Sequence, residues 1–100
     1  MNLVEQHKAQ IENLCKKYSV KKLYVFGSIL SDRFSKESDV DLLVDFDKVE
    51  LSRYADNYYE FKFALEETLD RPVDLIEESS IRNPYLKQGI KTNRHLLYAA

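Results

Sequence analysis

The amino-acid sequence predicts a small α/β domain in which helices pack on a mixed sheet of about three to four strands. Short segments rich in β-branched and aromatic residues alternate with longer segments whose apolar residues recur every three or four positions. The chain has 100 residues, of which 44% are hydrophobic and 32% are charged, a balance typical of globular domains. One hydrophobic core is feasible at this length and a second is not, so we expect a single domain over residues 1–100.

Three strands are predicted: Val20 to Phe26, Val40 to Phe46 and Val73 to Ile76. In the second of these, Val40, Leu42, Val44 and Phe46 share one face, while Asp41 and Asp45 share the other face with Leu43. The carboxylates therefore lie on a strand whose opposite face is expected to enter the core.

Apolar spacing predicts a first helix over residues 3–18 and a long second helix from Ser52, as its N-cap, to Leu69. Asp70-Arg71-Pro72 is expected to end the second helix. The side chains predicted to form its buried stripe are Leu51, Tyr54, Tyr58, Phe61, Leu65 and Leu69.

Asn83-Pro84 predicts the N-cap and first position of a third helix that runs towards Gly89 or Thr92. Residues 95–98 are expected to form a short apolar ending to the chain. On the second helix, Tyr59 and Phe63 fall on a different face from the buried stripe, which leaves open a strip for a partner protein or a second packing surface.

Composition excludes several classes of protein. No apolar run is long enough to predict a membrane span. The single cysteine, Cys15, excludes an internal disulfide and fits the reducing cytoplasm. A net charge of −2 without a basic stripe argues against a long nucleic acid as partner, although a short RNA or a nucleotide remains open.

Gly27-Ser28 stands where the first strand ends. Glycine lets the backbone approach a ligand closely, and the N–H groups and hydroxyl that follow can bond phosphate oxygens. Such a pair is more often an ordinary turn, so this feature alone is weak evidence.

Asp39 and Asp41 lie two positions apart where the second strand begins. Side chains at this spacing on a strand share a face, with Cα atoms about 6.5–7 Å apart, and paired carboxylates suit hard cations. Asp74 lies within the third strand pattern. Each aspartate could instead be a solvated surface residue, but together they would suit two Mg²⁺ ions about 3.5–4 Å apart, an arrangement that clamps a triphosphate.

Gly27-Ser28, then Asp39-Val40-Asp41 before Leu42-Leu43-Val44, and later Val73-Asp74-Leu75-Ile76 resemble the nucleotidyltransferase superfamily of the DNA polymerase β type. The pattern is most similar to its minimal single-domain members, the MNT proteins, which act as antitoxins beside HEPN-domain toxins. The resemblance covers residues 20–76 and, more loosely, the chain to residue 98.

The resemblance implies a role for each matching residue. Gly27 and Ser28 would hold the β- and γ-phosphates of ATP, and Asp39 and Asp41 would bind both Mg²⁺ ions. Asp74 would bind the catalytic ion and help to deprotonate the acceptor hydroxyl. Many relatives have arginine and glycine soon after the serine, where this chain has Ile29-Leu30-Ser31-Asp32; Arg33 and Lys36 are the nearby cations.

The implied activity is transfer of AMP from ATP to a hydroxyl group, with a tyrosine of a HEPN-type toxin as the acceptor and the chain as a type VII-like antitoxin. At 100 residues we expect no room for a separate acceptor-binding domain, so the acceptor should arrive on another polypeptide or between subunits of a homo- or hetero-oligomer. Two alternatives remain: a non-catalytic antitoxin that masks the toxin by binding it, and an RNA-directed transferase, which the charge pattern disfavours.

Overall fold

The computed structural model describes residues 3–27 and 39–100, in which four strands form one sheet in the order β3-β2-β1-β4. The helices are α1 (Leu3–Gln6), α2 (Lys8–Lys17), α3 (Tyr54–Leu69) and α4 (Pro84–Asn93). The strands are β1 (Val20–Phe26), β2 (Val40–Phe46), β3 (Val73–Glu77) and β4 (His95–Ala99). The β1 strand is antiparallel to β2 and to β4, whereas β2 and β3 are parallel, so the predicted α/β class with a mixed sheet is confirmed.

The strands β1 and β2 begin and end where the sequence predicted, and β3 is one residue longer than predicted. The prediction missed β4, since residues 95–98 were expected only as an apolar ending. This strand lies at the edge of the sheet, and of its residues only Leu97 is buried. An edge strand with one buried side chain lacks the alternation by which a strand is recognised.

The main core fills the space between the sheet and helices α2 and α3. Phe61, Leu65 and Leu69 of α3 and Ile11 and Cys15 of α2 are buried there. The sheet contributes the predicted inner face of β2, Val40, Leu42 and Val44, together with Leu23 and Val25 of β1. Phe46 packs its ring edge-on against the rings of Tyr54 and Phe61, with centroids 5.8 and 5.9 Å away.

The opposite face of the sheet carries α4. Ile90 of this helix packs with Tyr24 and Leu43 in a second, smaller cluster. Arg94 follows α4 directly and places its guanidinium 3.9 Å from the centre of the Tyr24 ring, while its Nη1 donates to Glu78 Oε1 at 3.2 Å. A few contacts therefore hold α4 on this face.

The helix ends differ from the prediction in two places. The first helix is divided at His7, whose Nδ1 lies 3.0 Å from the Leu3 carbonyl oxygen. The prediction of Ser52 as an N-cap was wrong, because residues 51–53 form a 3₁₀ turn and α3 begins at Tyr54 without a side-chain cap. Leu51 was wrongly placed in the buried stripe; it lies in that turn, off the helical period, and is 92% exposed.

Two predicted helix signals are confirmed. Asp70 adopts a left-handed conformation (φ 54°) and ends α3. The side chain of Asn83 caps α4, its Oδ1 accepting from the backbone N–H groups of Tyr85 at 2.9 Å and Leu86 at 3.3 Å. Within residues 3–27 and 39–100, no helix is long and apolar enough to cross a membrane.

Candidate active site at one end of the sheet

Three strand ends meet at the predicted site. The last residue of β1, Phe26, pairs with Asp41 of β2, and Asp41 pairs across the parallel ladder with Asp74 of β3. The backbone N–H of Val40 also donates to the Pro72 carbonyl oxygen at 3.0 Å. The sheet register therefore brings Asp41 and Asp74, which are distant in sequence, to neighbouring positions.

These aspartates lie on the face of the sheet that α4 covers. Alternation along β2 places Asp41 on the same side as Leu43, which packs under Ile90 of that helix. Asp41 is half-buried, whereas Asp74 and Asp39, which directly precedes β2, are exposed. Solvent and an incoming molecule can therefore reach the carboxylates.

Gly27 makes room for the carboxylate of Asp41. Its φ is +82°, and a Cβ atom at this position would lie only 2.2 Å from Asp41 Oδ2. A side chain here would strain the backbone, because L-residues avoid left-handed conformations, and would also displace the carboxylate. Glycine is thus required at this point by the backbone conformation and by the nearby Asp41 carboxylate. Ser28, Arg33 and Lys36 lie outside the described residues.

Asp39, Asp41 and Asp74 do not form a ready-made metal centre. Across residues 3–27 and 39–100, no group of three or more His, Cys, Asp or Glu side chains is arranged to hold a metal ion. The pairing of Asp41 with Asp74 is present, with Asp39 beside it at the start of β2. The assignment of all three as metal ligands therefore stays a prediction, favoured by the chemistry of oxygen donors on adjacent strands.

Two tyrosines of α3 hold β3, the strand that carries Asp74. Tyr54 Oη donates to Glu77 Oε2 at 2.5 Å, and Tyr58 Oη donates to the Leu75 carbonyl oxygen. Burial, then the hydrogen bond and charge of Glu77, raise the pKa of Tyr54 to about 12. Burial first, and then the charge of Glu77, also raises the pKa of Tyr58. Both phenols are therefore protonated donors at neutral pH.

Sequence reasoning placed Tyr54 and Tyr58 in the buried stripe of α3 but missed their hydrogen bonds. A signal was available, because tyrosine on a buried stripe brings a hydroxyl that must find a partner. Its partners could not be named from the sequence, since Leu75 and Glu77 become neighbours only when α3 lies across β3.

A mixed sheet with helices on both faces and aspartates at the adjacent starts of two parallel strands defines a protein of the small nucleotidyltransferase fold. Residues 7–97 match the family described as the nucleotidyltransferase domain. The chain belongs to this family and is a nucleotidyltransferase, as the sequence motifs predicted.

The relatives in sequence carry a consistent name. A protein adenylyltransferase of Methanocaldococcus jannaschii is 36% identical over 89 residues, which are 89% of this chain and 85% of that protein. The protein adenylyltransferase MntA of Thermococcus cleftensis is 29% identical over 90% of this chain and 85% of its own length. The similarity thus extends over most of both proteins in each comparison.

Solved structures share the fold. A minimal nucleotidyltransferase superposes with a TM-score of 0.78 at 26% identity, covering 95% of each chain. A toxin-antitoxin crystal structure with AMP-PNP gives a TM-score of 0.71 at 24% identity, over 93% of this chain and 73% of the other. A complex of the tri-AMPylated Shewanella oneidensis HEPN toxin with its MNT antitoxin gives 0.65 at 22% identity, over 96% and 72%. At identities below 25% the likeness shows the fold alone.

Proposed function

We propose that this chain is a Mg²⁺-dependent protein adenylyltransferase that moves AMP from ATP to a hydroxyl group of a partner protein. The observation that carries the proposal is the position of Asp41, whose carboxylate lies against Gly27 and pairs in register with Asp74. Three chain segments therefore bring Gly27, Asp41 and Asp74 together at one end of the sheet.

The proposed reaction is a nucleotidyl transfer. The acceptor oxygen attacks the α-phosphorus of ATP, a new P–O ester bond forms, and the bond from the α-phosphorus to the bridging oxygen breaks as pyrophosphate leaves. Asp74, exposed at the start of β3, accepts the proton of the acceptor hydroxyl. Gly27 and Ser28 hold the β- and γ-phosphates through backbone N–H groups and a hydroxyl.

The metal requirement follows from the charge of the donor. Asp39, Asp41 and Asp74 fit Mg²⁺ because they offer hard oxygen ligands from adjoining strand starts. Two bound Mg²⁺ ions would neutralise the triphosphate and lower the pKa of the attacking hydroxyl. Without a cation, these carboxylates would repel the polyphosphate they are meant to receive.

The proposed acceptor is a tyrosine of a HEPN-type toxin, which AMP would silence, so that the chain acts as an antitoxin in the cytoplasm. The support comes from the MntA relative and from the MNT–HEPN complexes that share the fold. The exposed position of Asp74 agrees with an acceptor that arrives on another protein.

The test is transfer of label from α-labelled ATP, with Mg²⁺, to a HEPN toxin encoded beside this protein. We expect Asp41→Asn to lower the rate by on the order of 100-fold or more, since even residues that only support metal ligands contribute 10–100-fold. Asp45→Asn is the matched control, because Asp45 shares the strand and face of Asp41 but lies at the far end, opposite Lys22. Equal rates for both variants would contradict the proposed site.

Masking of the toxin by binding alone is the second candidate function. The rings of Tyr59 and Phe63 lie 6.1 Å apart on α3 and are 52% and 58% exposed, which suits a contact with a partner. Masking replaces the enzymatic proposal if two results are found together. The double variant Asp39→Asn/Asp41→Asn still neutralises the toxin although no label transfers, and the double variant Tyr59→Ser/Phe63→Ser does not neutralise it.

A further inference from the structure

A groove of about 580 Å³ lies directly beside the proposed phosphate-binding turn. On one side it is lined by Phe26 and Gly27 at the end of β1, and on the other by Tyr85, Leu86, Gly89 and Asn93 of α4. Gly27 therefore borders both this groove and the carboxylate of Asp41. Every described residue that lines the groove is uncharged.

Gly89 has no visible role in the fold. It lies inside α4 with ordinary helical geometry, and a Cβ atom added to it would meet no atom of the described residues within 4 Å. Glycine is a poor helix former, so its presence weakens α4 without improving the packing against the described residues. Because Gly89 lines the groove and has no side chain, the wall of the groove stays low at this position.

The rim of the groove is apolar and exposed. Tyr85 is 88% exposed and Leu86 is 54% exposed, both in the first turn of α4, where the Asn83 cap fixes the backbone. At the other end of the helix, the side-chain amide of Asn93 lies on the groove and donates to the Gly89 carbonyl oxygen at 3.2 Å. The groove thus combines an aromatic face, aliphatic surface and one amide.

We propose that this groove binds the nucleobase of the donor nucleotide, with Tyr85 as the stacking surface and Gly89 as the residue that keeps the groove open. The inference rests on the proposed function, because it requires the triphosphate to lie at Gly27. The lining residues that the structure describes are uncharged, which suits a neutral base better than the phosphates. Base–aromatic stacking needs only an accessible ring face.

Continuity with the proposed site selects the base over other occupants. The groove begins at Gly27, on the same face of the sheet as Asp41, so a nucleotide whose phosphates contact Gly27 has this groove within reach of its base. The acceptor segment of a partner is the other occupant to consider, and the experiment separates the two.

The experiment is calorimetric titration of the full chain with ATP and, separately, with tripolyphosphate, each in the presence of Mg²⁺. Gly89→Leu fills the groove and Tyr85→Ala removes the ring. Gln88→Leu is the control, because it places the same leucine on α4 at a position that is not among the residues lining the groove. We expect Gly89→Leu and Tyr85→Ala each to weaken ATP binding by roughly tenfold, the loss of one base-stacking contact. Tripolyphosphate binding should change by less than about twofold, well below that stacking loss, and Gln88→Leu should behave as the wild type.

Each contrary result has its own meaning. Equal affinity of the wild type for ATP and tripolyphosphate, or unchanged ATP affinity in both groove variants, overturns the base site and leaves the phosphate site intact. Normal ATP affinity with lost transfer to the toxin in Gly89→Leu assigns the groove to the acceptor and also overturns the inference. Failure of the wild type to bind either ligand rejects the proposed function itself.

Discussion

The two faces of the sheet differ in how tightly side chains are packed on them. The face under α2 and α3 buries a continuous core around Phe61, Leu42 and Leu65, each with 0% exposure. The face under α4 has a small cluster around Ile90, half-buried or exposed carboxylates and an open groove.

This difference separates stability from binding. Free energy from apolar burial scales with the area removed from water, so most of it arises on the α2/α3 face. The α4 face can then keep Asp41, Gly89 and an exposed Tyr85 in positions that a tightly packed face would not allow. Variants of the first face should alter the free energy of unfolding, whereas variants of the second should alter ligand binding more than stability.

The largest expected effect on stability comes from Phe61→Ala. Phe61 is fully buried between α3 and the sheet, and large-to-small changes of buried phenylalanine cost about 3–5 kcal/mol. Phe63→Ala, two residues further along the same helix and 58% exposed, should remain within about 0.5 kcal/mol of the wild type. Denaturant unfolding followed by circular dichroism measures both. Similar losses for the two variants would show that the core does not lie where we place it.

The two glycines should respond in opposite directions to alanine. Gly27→Ala should lower the free energy of unfolding by roughly 1–2 kcal/mol, because of its positive φ, and should weaken Mg²⁺–ATP binding by displacing Asp41. Gly89→Ala should raise it by about 1 kcal/mol, since alanine is the better helix former and its Cβ meets no neighbour. Chemical denaturation and calorimetry on both variants test this, and a stabilising Gly27→Ala would contradict the strained geometry.

Asn83→Ala should affect the α4 face alone. Loss of its hydrogen bonds to the N–H groups of Tyr85 and Leu86 should cost about 1 kcal/mol. Hydrogen exchange should then become faster in α4 while amides of α3 keep their protection. Asn83→Asp, which retains an oxygen acceptor, is the control. Equal acceleration in both helices would mean that the two faces unfold as one unit.

Alkaline pH should weaken the contact of α3 with β3. The pKa of Tyr54 is raised from its ordinary value of 10.0 to about 12, so the folded state favours the neutral phenol. This contribution to stability is complete below about pH 10 and is lost as the pH rises to about 12. Between these pH values, the free energy of unfolding should decline less for Tyr54→Phe and for Glu77→Gln than for the wild type. An unchanged decline in both variants would reject the Tyr54–Glu77 hydrogen bond as its cause.

The parts of the fold that were predicted from the sequence are those with local signals. The alternation in β2, the Asn83-Pro84 cap and the break after α3 each follow from neighbouring residues. The strand β4 was missed because its pairing with β1 bridges most of the chain and leaves little trace in its own composition.

The candidate site was predictable in its residues but not in its geometry. The spacing of Gly27, Asp39, Asp41 and Asp74 indicated the family that the comparison confirmed. The contact between Gly27 and the Asp41 carboxylate depends on the register of β1 against β2, and the pairing of Asp41 with Asp74 depends on a parallel crossover through α3. The sequence indicated Gly89 only as a possible end of the third helix. Its place in the wall of a groove, with no described atom within 4 Å of an added Cβ, appears only in the structure.

The burial of Cys15 allows opening of the core to be followed by chemical labelling of its thiol. Its exposed fraction is 0%, and burial, with a smaller effect of the Glu12 charge, raises the pKa of the thiol to about 12. Thiolate is the reactive form. An alkylating reagent should therefore not react with Cys15 in the folded chain and should modify its thiol only when α2 separates from the sheet. Since the sequence contains one cysteine, the labelling rate of the unmodified protein reports that separation directly, and a cysteine introduced on α4 would report the other face alongside it.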